Sequence, residues 1–425
     1  MGDCLVAFFM IDMDTRIILK GGTIVRNGKQ TKADVAVCGS VIERIAPEIV
    51  PSKEDKVFDC SHKIITVGLV DLHVHLREPG FSRKETIATG TAAAAHGGFT
   101  CVCSMPNLEP APDTMENLQQ QIDIIKRDAV VKVLPYATIT RKRRGDELVD
   151  FPSLKPYVAG FSDDGSGVQS GEVMQAAMYE AAKCDGIIAA HCEVNELLRK
   201  GYIHDGEYAR KHGHRGICSE SEWAQIERDI ELAAKTGCRY HVCHISTKES
   251  VALIREAKKR GVKITCETGP HYLTMCDMDL QENGRFKMNP PIRSAADRDA
   301  LVAGLVDGTI DVVATDHAPH TLEDKQNGAP GFSGLETSFA VAHTELVETG
   351  ILTPMQMAEK TSYNPAKILG LADKGAIAEG KIADIVIFDK NKEYEIDKNT
   401  FLSKGKNTPF HGRKVKGEVA YALVS

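Results

Sequence analysis

The sequence carries no excess of positive charge: 52 lysines and arginines are set against 59 aspartates and glutamates, for a net charge of -7. A basic face for nucleic acid or for an anionic membrane is therefore not expected. It also lacks an apolar run of about 18 residues, the length needed to cross a bilayer as a helix. No basic residue precedes the short apolar run Leu5 to Ile11, and acids flank it, which makes a poor secretory leader. Val6 stands where a myristoylation motif at Gly2 needs Ser or Thr. Met10 and Met13 offer later starts than Met1. Without a leader, the 12 cysteines point to a reducing cytoplasm and free thiols. Cys101 and Cys103 form no C-x-x-C pair; most cysteines, among them Cys192 and Cys243 beside His191 and His244, read as small core residues rather than zinc ligands. There is no G-x-G-x-x-G after the first strand, no low-complexity segment and no internal repeat, which removes the simplest nucleotide-binding and solenoid readings.

What is present is an ordinary globular composition, 42% hydrophobic and 26% charged over 425 residues, enough for one large domain and a smaller one. Residues 16–60 read as short strands separated by turns (RIILKGGTIV, ADVAVCG, VIERIA, KVFDC). The same texture returns at 373–389 and 413–423, so both chain ends are expected to pair into one β unit. Between them, apolar runs alternate with helical stretches. In one, Trp223, Ile226, Ile230 and Ala233 recur at helical spacing before Gly237. About eight such units over roughly 300 residues fit a closed (β/α)₈ barrel, with a doubly wound sheet as the alternative. The expected division is 1–66 and 372–425 for a small β-sandwich domain and 67–371 for the barrel.

The chemistry-bearing residues sit where the apolar runs end. GLVDLHVHLRE places His73 and His75 two apart, on one face of a strand. VAGFSDDG ends in Asp163 and Asp164, IIAAHCE in His191, YHVCHIS in His244, and DVVATDHAPH in Asp316, His317 and His320. In a barrel these ends converge on the C-terminal face. A single such histidine reads as a satisfied core residue; five strand ends bearing metal-type ligands together read as a metal site. The nitrogen and oxygen donors suit zinc, with manganese or iron as alternatives. Four histidines and at least two aspartates exceed the three protein ligands of a single catalytic zinc, so two ions are expected. His96, His343, His212 and His214, and the basic run Arg141 to Arg144, read as structural or solvated. The Gly-rich stretch HTLEDKQNGAPGFSGLE reads as a mobile lid.

The segments DLHVHLREPGFSRKETIATGTAAAAHGGFT, CSMPN, FSDDG, AAHCE, CHIS, KMNPPIR and TDHAPH resemble the signature segments of the dihydroorotases, most closely the monofunctional bacterial class of the amidohydrolase superfamily. The likeness runs from about Ile17 to the C-terminus. It implies a metal-dependent barrel bearing a small β domain, and reversible cyclisation of N-carbamoyl-L-aspartate to L-dihydroorotate in pyrimidine synthesis. By motif, His73, His75 and Asp316 would hold the more buried zinc, His191 and His244 the second, and Asp164 would bridge them. Hydantoinases use a carboxylated lysine as the bridge; VAGFSDDG has none, and Lys155 lies earlier. Asp163 reads as a turn residue. A metal-bound hydroxide would attack the ring carbonyl while Asp316 moves the proton to the leaving nitrogen. Arg77, Asn107 and His320 would grip the substrate carboxylate, with His75 beside them, and Asn289 would contact the ring. Gly331 and Phe332 stand, in reversed order, where the family shows a backbone contact to substrate. The resemblance further implies a cytoplasmic homodimer and leaves open an association with aspartate transcarbamoylase. Two alternatives remain: another cyclic ureide hydrolase, such as a hydantoinase or allantoinase, and a silent scaffold for aspartate transcarbamoylase.

Overall fold

The computed structural model describes residues 7–10, 15–26, 29–372 and 374–425. Gly2, Val6, Met13 and part of the Leu5 to Ile11 run lie outside the described residues. The strands Arg16–Arg26, Lys29–Cys38 and Val41–Ala46 form an antiparallel meander. Arg16–Arg26 changes partner along its length: residues 17–20 pair with Lys56–Asp59, and Thr23 and Ile24 pair with Ile64–Val67. The switch falls at Gly21 and Gly22. Gly21 has φ +76, and a Cβ on Gly22 would sit 2.4 Å from Ile65 Cδ1, so glycine is required for the bend. The far end of the chain completes the sheet. Ile385–Glu395 pairs antiparallel with both Ile64–Val67 and Lys414–Val424, and the latter pairs parallel with Ala7–Met10. Ile17, Leu19, Val35, Ile65, Ile385 and Leu423 share this domain's core.

The barrel strands Leu69–Val74, Phe99–Ser104 and Lys132–Pro135 pair in parallel, and so do Ile187–Ala190, Arg239–Val242, Ile264–Thr268 and Val312–Val313. Single parallel bridges from Phe161 to Ala137 and to Ile188 supply the position between these groups. A further bridge, Val74 to His317, closes the ring, with His75 N–H donating to His317 O at 2.8 Å. Eight parallel positions closed on themselves make a (β/α)₈ barrel and exclude the doubly wound sheet. Barrel strands are covered by side chains inside and helices outside, which is why Leu69–Val74 and Phe99–Ser104 are buried at every residue, their polar members Asp71, His73, Thr100 and Ser104 included. Some helices start where a hydroxyl caps them: Thr114 accepts from Asn117 N–H before Met115–Asp128, and Thr247 from Ser250 N–H before Lys248–Lys259. Glu220–Thr236 ends, as its sequence predicts, at a left-handed Gly237. Among the described residues, no helix is long and apolar enough to cross a membrane.

Candidate metal centre and substrate mouth

Each strand end delivers its residue to one place. His73 lies in Leu69–Val74 and His75 just beyond it; His191 follows Ile187–Ala190, His244 follows Arg239–Val242, and Asp316 follows Val312–Val313. All are buried, as is Asp164. His73, His75 and Asp316 bring ligand atoms within 4.8 Å of one another, and so do His73, Asp164 and His244. His75 Nε2 is 3.1 Å from Asp316 Oδ1, His73 Nε2 is 3.4 Å from Asp164 Oδ1, and His244 Nε2 is 3.7 Å from the same oxygen. His191 Nδ1 completes the group, 3.0 Å from His244 Nε2 and 3.8 Å from Asp164 Oδ1. His244 and Asp316 hold φ of 32° and 46°, a strained region for non-glycine residues that persists only where the surroundings dictate it.

These residues fit a divalent cation. His73 Nε2 and Asp164 Oδ1 are buried, face each other, and make no hydrogen bond. Leaving such atoms unsatisfied costs about 1–3 kcal/mol each, which coordination would offset. Electrostatics agree. Burial opposes the charged form of Asp164, but the imidazoles of His73, His244 and His75 hold its carboxyl well below the usual range. Burial likewise opposes Asp316, yet the hydrogen bond from His75 and the charge of His73 bring it down to about 2. Two ionised carboxylates thus sit within a ring of nitrogen donors.

A supporting layer escaped the sequence reading. His73 Nδ1 contacts Glu267 Oε1 at 2.9 Å, and Glu267 Oε2 lies 3.2 Å from His241 Nε2, so the carboxylate orients His73 with Nε2 towards the cluster. Glu267 ends an apolar run as the ligands do, and that signal could have found it. Asn107 braces two ligands: its Oδ1 meets His75 Nδ1 at 2.9 Å, and its Nδ2 donates to Asp164 Oδ2 at 3.3 Å. Asp163 O accepts from Ser166 N–H at 3.1 Å in a turn, while its side chain accepts from Ile139 and Thr140 N–H and so ties the turn to a distant loop. The basic run is only partly solvated, because Arg143 Nη1 donates to Asp164 O at 2.7 Å and Arg141 Nη1 to Asp113 O at 2.9 Å.

Above the ligands opens a cavity of about 220 Å³ whose lining includes His75, Arg77, Asn107, Asn289, His320 and Gly331. Arg77 is the unusual member. It is 8% exposed, and among the described residues its guanidinium meets Pro319 O and His320 Nε2, each at 3.4 Å. No carboxylate among the described residues lies within ion-pair distance of it. Burial lowers Arg77 to about 10, so it remains a cation at neutral pH. Lys84 Nζ approaches the other face of His320, 3.4 Å from Nδ1. Burial, then Arg77 and Lys84, push His320 down to about 3, so it stays neutral. Gly331 has φ 116° and donates its N–H to Lys287 O at 3.0 Å. Phe332 lies outside the lining, its ring 4.8 Å from that of His271. The expected lid contains a short helix, Leu322–Gln326, and Lys325 Nζ ties it to the carbonyls of Lys287, Ala329 and Gly331.

A closed barrel with histidines and aspartates gathered at its strand ends defines a metal-dependent amidohydrolase. A family model described as "Amidohydrolase family" matches residues 223–414, and one described as "Dihydro-orotase-like" matches residues 62–250. The chain is 47% identical over 406 residues to a dihydroorotase of Fusobacterium nucleatum, covering 94% of this chain and 95% of that one. It is 50% identical to a dihydroorotase of Geobacillus sp., with the same coverage of 94% and 95%. The chain belongs to the dihydroorotase family. Among solved structures, it is similar to an L-hydantoinase of Arthrobacter aurescens (TM-score 0.87, 26% identity, covering 98% of this chain and 95% of that one). A dihydropyrimidinase of Brevibacillus agri shares the fold (TM-score 0.85, 22% identity, covering 96% and 94%). Lys155 is not the bridging lysine expected of a hydantoinase: it sits in the turn Lys155–Tyr157, and it is Asp164 that joins His73 and His244 in the cluster.

Proposed function

We propose that the chain interconverts N-carbamoyl-L-aspartate and L-dihydroorotate with two zinc ions. His73, His75 and Asp316 would hold one, His191 and His244 the other, and Asp164 would bridge them. Bound there, the cations would lower the pKa of a water and polarise the amide carbonyl. The chain's own residues do the rest. Arg77, with His320 and Asn107, holds the substrate carboxylate and so fixes the ring over the ligand cluster. Asp316, kept ionised by its imidazole neighbours, takes the proton from the attacking water. It delivers that proton to the ring nitrogen as the C–N bond breaks. In the closing direction Asp316 removes the proton from the ureide nitrogen, and the departing oxygen receives it. The barrel at 67–371 carries the site; the β domain at 1–66 and 372–425 is a support. The 11 described cysteines are all free, which supports a reducing, cytoplasmic setting.

The observation that carries this reading is the buried Arg77 guanidinium, with no carboxylate partner among the described residues, at the mouth of the ligand cluster. Burying an unpaired cation is costly, and an anionic substrate removes the cost. The test compares ring opening of dihydroorotate, hydantoin and allantoin by the purified chain, with metal analysis before and after chelation. Turnover of dihydroorotate alone, lost on chelation and restored by zinc, is expected. Preference for an uncharged ring, or turnover untouched by complete metal removal, overturns it. Light scattering, alone and with an aspartate transcarbamoylase, tests the homodimer and the association that the family resemblance implies.

A further inference from the structure

Asn289 lines the cavity but does not stand alone. Its Nδ2 donates to Glu193 Oε2 at 2.7 Å, and among the described residues its Oδ1 has no hydrogen-bond partner. Glu193 is not free to move. Its N–H donates to Gln225 Oε1 at 3.0 Å, and its carbonyl accepts from Gln169 Nε2 at 2.9 Å. Gln225 is held in turn through Asp229, which also accepts from Tyr240 O–H at 2.8 Å. The Glu193 side chain is 12% exposed, so water competes little for its oxygens. A carboxylate accepts and does not donate, whereas an amide has one end of each kind. With one Nδ2 hydrogen drawn to Glu193, the amide is fixed in orientation, and its oxygen is the acceptor left for the cavity.

We propose that Glu193 is a positioning residue that locks the Asn289 amide with its oxygen towards the cavity, so that the site selects a substrate bearing a ring N–H at that point. The proposal rests on the dihydroorotase reading. Dihydroorotate carries two ring N–H donors, each beside a carbonyl. Asn289 Oδ1 accepts one of them. A substrate with an acceptor or a methyl group there would cover that oxygen, cut it off from water and leave it without a donor, and sites built this way reject such analogues strongly. Glu193 also lies 3.6 Å from His191 Nε2, so the same carboxylate steadies a residue of the ligand cluster.

The experiment measures kcat and KM for dihydroorotate and for its two ring N-methyl derivatives. It uses the zinc-loaded wild type, Glu193→Met, Asn289→Leu and the double variant, with zinc content recorded for each. Wild type is expected to reject one N-methyl derivative roughly 10- to 100-fold in kcat/KM. Glu193→Met and Asn289→Leu each abolish that discrimination, chiefly through KM, and the double variant loses no more than either. Glu193→Gln, which keeps an acceptor oxygen, restores it. Acceptance of both derivatives by wild type overturns the lock without any variant. So does full discrimination in Glu193→Met, or a loss that tracks zinc content with discrimination unchanged. Absence of dihydroorotate turnover in the wild type refutes the dihydroorotase reading itself, a separate outcome.

Discussion

Replacing Arg77 with methionine should weaken catalysis and strengthen the fold at once. Met fills much the same volume, and φ of 63° strains either residue alike, so the change isolates the charge. In the free protein Arg77 is a buried cation whose pKa falls from 12.5 to about 10. At about 1.4 kcal/mol per unit, that shift corresponds to desolvation on the order of 3 kcal/mol, so Arg77→Met should raise stability by roughly 1–3 kcal/mol. With substrate bound the balance reverses. A guanidinium gripping a carboxylate makes charge-assisted hydrogen bonds of about 1.5–3 kcal/mol each, and truncating one partner of a buried charge pair costs about 2–5 kcal/mol. Allowing for His320 and Asn107 on the same carboxylate, a loss of about 2–4 kcal/mol is expected, roughly 30- to 1000-fold in kcat/KM. The assay is steady-state ring opening of dihydroorotate beside 5,6-dihydrouracil, the same ring without the carboxylate, with thermal unfolding in parallel. The variant should lose its preference for dihydroorotate, carry the loss mainly in KM, and melt higher. Equal losses on both rings, or a lower melting temperature with unchanged KM, would refute the reasoning.

Asp316→Ala should reduce kcat by at least about 100-fold, the scale of general acid–base catalysis, with further loss from the missing ligand; near-normal turnover would remove Asp316 from the proton path. Glu85 is a structural counterpart. Burial would raise its pKa, but His317, Ser403 and Thr89 hold it below 4.5. A depressed carboxylate contributes stability present above its unfolded pKa and lost as pH falls through the folded one. Wild type should therefore lose stability below about pH 4.5, and Glu85→Gln, less stable at neutral pH by about 1–3 kcal/mol, should show a flatter acid limb in denaturant titrations. A steeper limb in the variant would contradict the assignment.

The ligands were legible because their signal is local: an imidazole or carboxylate placed where an apolar run stops, with His73 and His75 sharing a strand face. The barrel was legible from strand and helix alternation, and the β domain from the matching texture of the two ends. The pairings that support the site were not, even where a partner such as Glu267 itself ends an apolar run. Glu267 reaches His73 across 194 positions and Glu193 reaches Asn289 across 96, and no local pattern announces either pair. The position at Phe161 is a pair of single bridges rather than a run, too short to have a period. Arg143 looked solvated because composition describes a basic run without its geometry; only the turn through the left-handed Lys142 and Arg143 brings a guanidinium to the Asp164 carbonyl.

The sheet shared by both chain ends sets a timetable for synthesis. Ile64–Val67 pairs with Ile385–Glu395, so it must wait for more than 300 residues to be made before it has that neighbour. At about 5–20 residues per second, the wait is on the order of 15–60 s. For that interval the nascent protein carries a bare strand edge of Ile, Ile, Thr and Val, an adhesive surface that chaperones are built to cover.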